Sequence, residues 1–160
     1  MNDPDFPDFL LMLIKRTQAQ LPVKSLIFEF SLKDAINHII EVENFTRKLQ
    51  NLHCGFGVRG YVPSDNANKI LKKLSITSLR IAPDCVAKLG QDEELAQRIK
   101  QLTIRLEAEQ CHVIASGVNN ADLMAQLYNI GLNIMEGDAI GESEILSSKN
   151  PMFEALYTQK

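Results

Sequence analysis

Between residues 26 and 136 the chain alternates apolar runs of strand length with segments of helical periodicity, and no hairpin signal such as Asn-Gly joins any two of the runs. This rhythm constrains the fold more than any other feature. Strands separated by amphipathic helices lie parallel in one sheet, joined by right-handed crossovers. The strand-like runs are Leu26 to Phe30, about Cys54 to Arg59, Leu79 to Ala82, Cys111 to Ala115, and Leu132 to Met135. Five such strands form either an open doubly wound sheet or part of a (β/α)8 barrel, and the pattern alone does not choose.

The helices are read from spacing and punctuation. Residues 5–20 carry Phe9, Leu10, Leu13 and Ile14 on one stripe, with Pro7 in the first turn and Pro22 as the stop. Ser31 and Asp34 resemble a capping box opening a helix that buries Ala35, Ile36, Ile39, Ile40, Phe45 and Leu49. A loop, GYVPSD, leads to a short helix with Ile70, Leu71 and Leu74 inward, and Pro83 closes the third strand. Residues 91–109 hold Leu95, Ile99, Leu102 and Leu106 at spacings of four, three and four. Asn120 caps a helix with Leu123, Met124, Leu127 and Tyr128 on one face, and Gly131 stops it. Residues 142–150 read as a polar loop, and the tail MFEALY as a last turn of helix.

A length of 160 residues fits a single domain with a real core. The net charge of −3 and the lack of a basic stripe exclude a nucleic-acid footprint. No apolar run approaches the ~20 residues that span a bilayer, and the acidic N-terminus is no secretory signal. Cys54, Cys85 and Cys111 are odd in number and widely spaced, which reads as reduced thiols in a cytoplasmic protein.

In a parallel α/β fold, function sits just after the strands. Those segments hold Glu29, Arg59, Arg80, Ser116, Gly117, Asn119 and Glu136. Glu29 has the chemistry of a metal ligand or general base, but one carboxylate does not make a metal site. Arg59 and Arg80 suit either a grip on phosphate or a partner's carboxylate, or structural ion pairs with Glu29 or Glu136; the ion-pair reading is slightly favoured. His53-Cys54 and Cys111-His112 open their strands at the opposite pole with a strand expected between them, so they read as packing rather than as zinc ligands. No phosphate loop and no Gly-x-Ser-x-Gly elbow is present.

Five of these segments, in order and in register, resemble the later part of an EAL domain, the cyclic di-GMP phosphodiesterase fold, a modified (β/α)8 barrel. LIFEFS (26–31) is similar to the L-x-x-E-x-T strand and keeps its glutamate as Glu29. GVRGYV (57–62) lies where the family has D-D-F-G, and SLRIAP (78–83) where it has L-K-I-D. VIASGVNN (113–120) is similar to V-V-A-E-G-V-E, and GLNIMEG (131–137) to G-x-D-x-x-Q-G. The resemblance covers about residues 5–142, leaving 143–160 as a tail of one incomplete domain. It implies a partial (β/α)8 barrel of about five parallel strands.

The departures carry the functional reading. Arg59 and Gly60 stand where the family's acidic pair belongs, Arg80 where its lysine belongs, and Ala82 where the next Asp belongs. Ser116 replaces the catalytic glutamate, and Asn119 the second one. The resemblance therefore implies no phosphodiesterase activity, no resident metal or cofactor, and cyclic di-GMP only as a ligand. It is nearest the degenerate FimX-like branch, which implies a non-catalytic signalling module linked to type IV pili and twitching motility, with a PilZ-type protein partner. Remaining readings are an oligomerisation remnant and a weak vestigial metal-dependent phosphodiesterase. The E-A-L segment and the early asparagine strand have no counterpart in these residues, so the barrel is expected to be open, with Phe28, Phe56, Ile81 and Ile114 facing uncovered inward. Self-association that closes the sheet is expected to follow.

Overall fold

The computed structural model describes residues 6–17 and 26–141. Pro22, the 142–150 loop and the MFEALY turn lie outside the described residues. Among the described residues the sheet has five strands in the order β1-β2-β3-β4-β5, and every pairing is parallel. The strands are β1 (Ile27–Ser31), β2 (Gly55–Tyr61), β3 (Ser78–Ile81), β4 (His112–Ser116) and β5 (Ile134–Glu136). Sequential order without a switch point rules out the doubly wound alternative and leaves an open segment of barrel.

Seven helices are described: α1 (Phe6–Thr17), α2 (Leu32–Asn37), α3 (Ile39–Gln50), α4 (Asp65–Lys73), α5 (Pro83–Val86), α6 (Glu93–Ala108) and α7 (Ala121–Asn129). Side-chain caps fix several of their starts. Ser31, Ser64, Asp92 and Asn120 each accept a hydrogen bond from the backbone N–H three residues on. The helix expected to follow β1 is two helices, broken at His38 (φ −131°, ψ 41°). The break rotates the second segment, so Val42 and Phe45 turn inward, while Ile36 and Ile40 point away from the core. The expectation that those two isoleucines are buried therefore fails. Leu49's side chain lies outside the described set.

Strand alternation gives the sheet two unlike faces. Phe56, Val58, Leu79, Ile81, Val113 and Ala115 lie on the helix-covered face and are buried, in a core shared with α4, α6 and α7. Phe28 and Phe30 share that face, and their rings meet Phe45 of α3 edge-on. The other face is open, and carries Ile27, Glu29, Gly57, Arg80, Ile114, Ser116, Ile134 and Glu136 by register. The expectation that Phe28, Phe56 and Ile81 lie uncovered inside the barrel is thus wrong; only Ile114 does. The reason is parity. Gly57 shares a side with Glu29, so its neighbours Phe56 and Val58 must face the helices.

Candidate functional site

The open face is crossed by one ion network that uses four of the five strands. On β1, Glu29 accepts a hydrogen bond from Arg80 Nε of β3, 2.5 Å away. Arg80 also donates through Nη1 to Glu136 Oε2 at the end of β5. Ser116 Oγ, on β4, donates to the other Glu136 oxygen at 2.7 Å. Both carboxylates are therefore held by a single guanidinium, whose planar fork suits two acceptors at once.

This reach depends on β2. Adjacent strands are ~4.8 Å apart, so β1 and β3 are separated by ~10 Å. Glu29 crosses that gap over Gly57, its register partner. A Cβ on Gly57 would lie 2.5 Å from Ser78 Oγ and 2.8 Å from Glu29 Cγ. Glycine here leaves a trough in the sheet along which the carboxylate lies. Gly57 and Ser78 were missed as supporting residues. The signal was a glycine directly opposite the lone acid of the neighbouring strand.

The other anticipated residues fall along the same rim. Arg59 pairs in register with Ser31 and Arg80, is exposed, and makes no ion pair among the described residues. Of the two arginines, Arg80 thus fills the structural ion-pair role and Arg59 does not. Gly117 has φ +78°, and a Cβ there would meet Pro83 Cβ at 2.7 Å, so both backbone and space require glycine. Val118, buried, donates its N–H to the Glu136 carbonyl and accepts from Ala139 N–H, both at 3.0 Å. These bonds tie the turn after β4 to the turn after β5 and set the height of Glu136. Asn119 is exposed and accepts from Asn120 Nδ2 at 3.0 Å, while Asn120 caps α7.

At the opposite pole, His53, Cys54, Gln110 and His112 border one cleft of about 460 Å³, with Thr77 between the two pairs. Burial pushes the thiols of Cys54, Cys85 and Cys111 up, Cys111 to about 11. Buried protonated thiols of this kind are poor metal ligands and poor nucleophiles.

Fold and rim together define a partial parallel α/β barrel with its polar site on the open face. The chain belongs to the EAL domain family, whose model matches residues 1–143. Among solved structures, it resembles the c-di-GMP-bound EAL domain of FimX from Pseudomonas aeruginosa at 29% identity, covering 85% of this chain and 55% of that one with a TM-score of 0.73. The Xanthomonas citri FimX EAL domain in complex with c-di-GMP superposes with a TM-score of 0.79 at 15% identity, over 91% of this chain and 56% of that one. The PaMucR phosphodiesterase in its c-di-GMP complex gives a TM-score of 0.70 at 19% identity, over 88% and 56%. The chain thus spans little more than half the length of these structures. No curated protein matches it.

The divalent metals that a metal-dependent phosphodiesterase reading requires do not fit the residues present. Such ions need several converging oxygen ligands. Here the open face offers Glu29 and Glu136, and one guanidinium engages both. Among the described residues no three His, Cys, Asp or Glu side chains converge.

Proposed function

We propose that this chain is a non-hydrolysing EAL module of cyclic di-GMP signalling, working through a protein partner and keeping contact with the nucleotide along its rim. The observation that carries the reading is the Arg80 guanidinium bound between Glu29 and Glu136. The resemblance expects a lysine there too, so the cation alone does not argue against metal. With Arg59, Gly60, Ala82 and Ser116 standing where the family's acids belong, the guanidinium commits the two rim carboxylates that could hold metal or activate water. Contact with the nucleotide falls to Arg59, Arg80, Ser116, Gly117 and Asn119, with Glu29 and Glu136 holding Arg80 in place. An arginine with no ion pair among the described residues, such as Arg59, matches a phosphodiester oxygen pair. The likeness to FimX domains extends the proposal to type IV pilus function and twitching motility, with a PilZ-type protein as the partner. The proposed setting is the cytoplasm; no helix among the described residues is long and apolar enough to cross a membrane.

The test is calorimetric titration with cyclic di-GMP, with and without magnesium, followed by chromatography of the nucleotide. Saturable micromolar binding without a linear product supports the reading. Magnesium-dependent hydrolysis overturns the non-hydrolysing part, and absence of heat overturns the nucleotide part.

A second reading, assembly, is favoured by one feature. Phe6, Phe9, Met12 and Leu13 of α1 are 44–56% exposed, close to the open edge strand β1, where Ile27 is 52% exposed. Apolar surface beside an edge left unpaired among the described residues favours recruitment of another chain.

A further inference from the structure

Away from the rim, α4 and α6 diverge over the helix-covered side of the sheet and leave two adjoining clefts of about 380 and 460 Å³. Lys72 of α4 and Arg105 of α6 border both, so the two form one groove along the helices. Arg98, nearly two turns from Arg105 by helix geometry, borders the upper cleft. None of these three cations is in an ion pair among the described residues. The one acid that borders the groove, Glu109, sits at its far end. The floor is apolar and firm: Leu71, Leu74, Leu102 and Leu106 are all buried. Under the upper cleft the buried Tyr61 hydroxyl donates to Asn68 Oδ1 at 2.9 Å. Burial raises the Tyr61 phenol while Arg105 and Arg98 pull it down, so both guanidinia lie within electrostatic reach of the groove floor.

In a chain of net charge −3, three unpaired cations over an apolar floor mark a surface built for one kind of ligand. We infer that the α4/α6 groove docks an acidic segment of a protein partner, with apolar side chains seated on the leucine floor between carboxylates that meet Arg98, Arg105 and Lys72. This rests on the protein-binding reading above and adds the place and the chemistry of the contact. The spacing decides among anions. Arg98 and Arg105 are seven residues apart on one helix, ~10 Å along its axis, too far for one phosphate group to bridge. That distance matches acids seven apart on a helix, or about three apart on an extended strand. Single-stranded nucleic acid would need exposed stacking rings, and the groove's one aromatic, Tyr61, is 1% exposed; a duplex would need a longer basic stripe than these three cations.

The probe is a fluorescein-labelled peptide alternating glutamate and leucine, titrated with the intact chain and followed by anisotropy. Binding is expected to saturate and to weaken with added salt. R98E/R105E is expected to weaken it by roughly tenfold or more, two charge pairs being lost and two repulsions gained. The single charge reversal K33E, on α2 and exposed, carries half that change in charge and is expected to leave it within about twofold. All three substituted side chains are exposed, and matching melting curves confirm that the variants fold. No saturable binding, equal loss in K33E, or displacement by inorganic phosphate at the same charge concentration would overturn the inference. Cyclic di-GMP titration of R98E/R105E separates the two ideas: unchanged nucleotide binding with lost peptide binding supports the groove by itself, while failure of nucleotide binding in the unsubstituted chain leaves the groove standing.

Discussion

Replacing Arg80 with methionine, which is similar in length and uncharged, tests whether the ion network holds the open face together. Each Arg80–carboxylate pair is worth ~4 kcal/mol in gross Coulomb energy at an effective dielectric near 20, before desolvation and side-chain ordering are subtracted. The side chains of Arg80, Glu29 and Glu136 are 30%, 28% and 44% exposed, so solvent removes most of that. A net ~0.5–1.5 kcal/mol per pair remains, between the values for surface pairs and for buried ones. R80M is then expected to cost about 1–3 kcal/mol, because it also leaves two carboxylates facing one another without their cation. In a chain of this length that lowers the melting temperature by roughly 4–8 °C at the middle of the range. E29Q alone should cost less, since Glu136 still anchors the guanidinium. R80M/E29Q/E136Q should recover most of the loss, and the cycle should show coupling of about 1 kcal/mol. Differential scanning calorimetry at low and high salt reads all of this. An R80M melting temperature equal to that of the parent chain at low salt would refute the reasoning.

Gly117→Ala places a Cβ on a left-handed backbone and against Pro83, so about 2–4 kcal/mol of destabilisation is expected in chemical denaturation, while Gly141→Ala, open on all sides, should cost under about 1 kcal/mol. The three thiols should resist Ellman's reagent in the native chain at neutral pH and all react once it is unfolded; fast reaction of the native chain would contradict their burial. Cys111 rises from 9.0 to about 11 on folding, so unfolded chain loses that proton first and its share of stability, full below 9.0, should fall as pH climbs toward 11; a flat alkaline melting profile, or one unchanged in C111A, would contradict this. Light scattering at micromolar concentration should show association that weakens when Phe9 is changed to Glu, and a monodisperse monomer would end the assembly reading.

Strand positions were legible because β-branched and aromatic runs stood between clear helix periods. Boundaries moved by one or two residues, as at β5, which begins at Ile134 rather than Leu132. The faces of β1, β2 and β3 were misassigned through Phe28, Phe56 and Ile81, whereas Ile114 of β4 does lie on the open face. Apolar residues were assigned to the barrel interior, but in this fold the apolar side of a strand belongs to the helices that cover it. Leu26-Ile27-Phe28-Glu29-Phe30 already held the answer, since Glu29 between two phenylalanines must face away from them. Pro83 was read only as the end of a strand, although proline is also favoured at the first position of a helix, which is where α5 begins. The joining of Glu29 to Arg80 across β2 was not legible, because it is set by side-chain length and by the missing Cβ of Gly57 rather than by any spacing along the chain.

The charges on the rim bear on the non-hydrolysing reading proposed above. Glu29 and Glu136 contribute two negative charges, and Arg80 and Arg59, in register on neighbouring strands, return two positive ones. These four charges cancel, so together they supply no net field to concentrate divalent cations. Its charges are also unevenly committed: Arg80 is satisfied by two carboxylates, whereas Arg59 stands exposed with no ion pair among the described residues. Like charges side by side on adjacent strands repel, and the repulsion is tolerable here because the acids on either side screen Arg80. What remains outward is one uncompensated guanidinium beside a quiet network. An acid at position 59, where the resemblance expects one, would favour a cation, whereas an exposed guanidinium there favours an anion. Position 80 keeps the positive charge that the resemblance expects, so on the proposed reading the change of sign comes from residue 59.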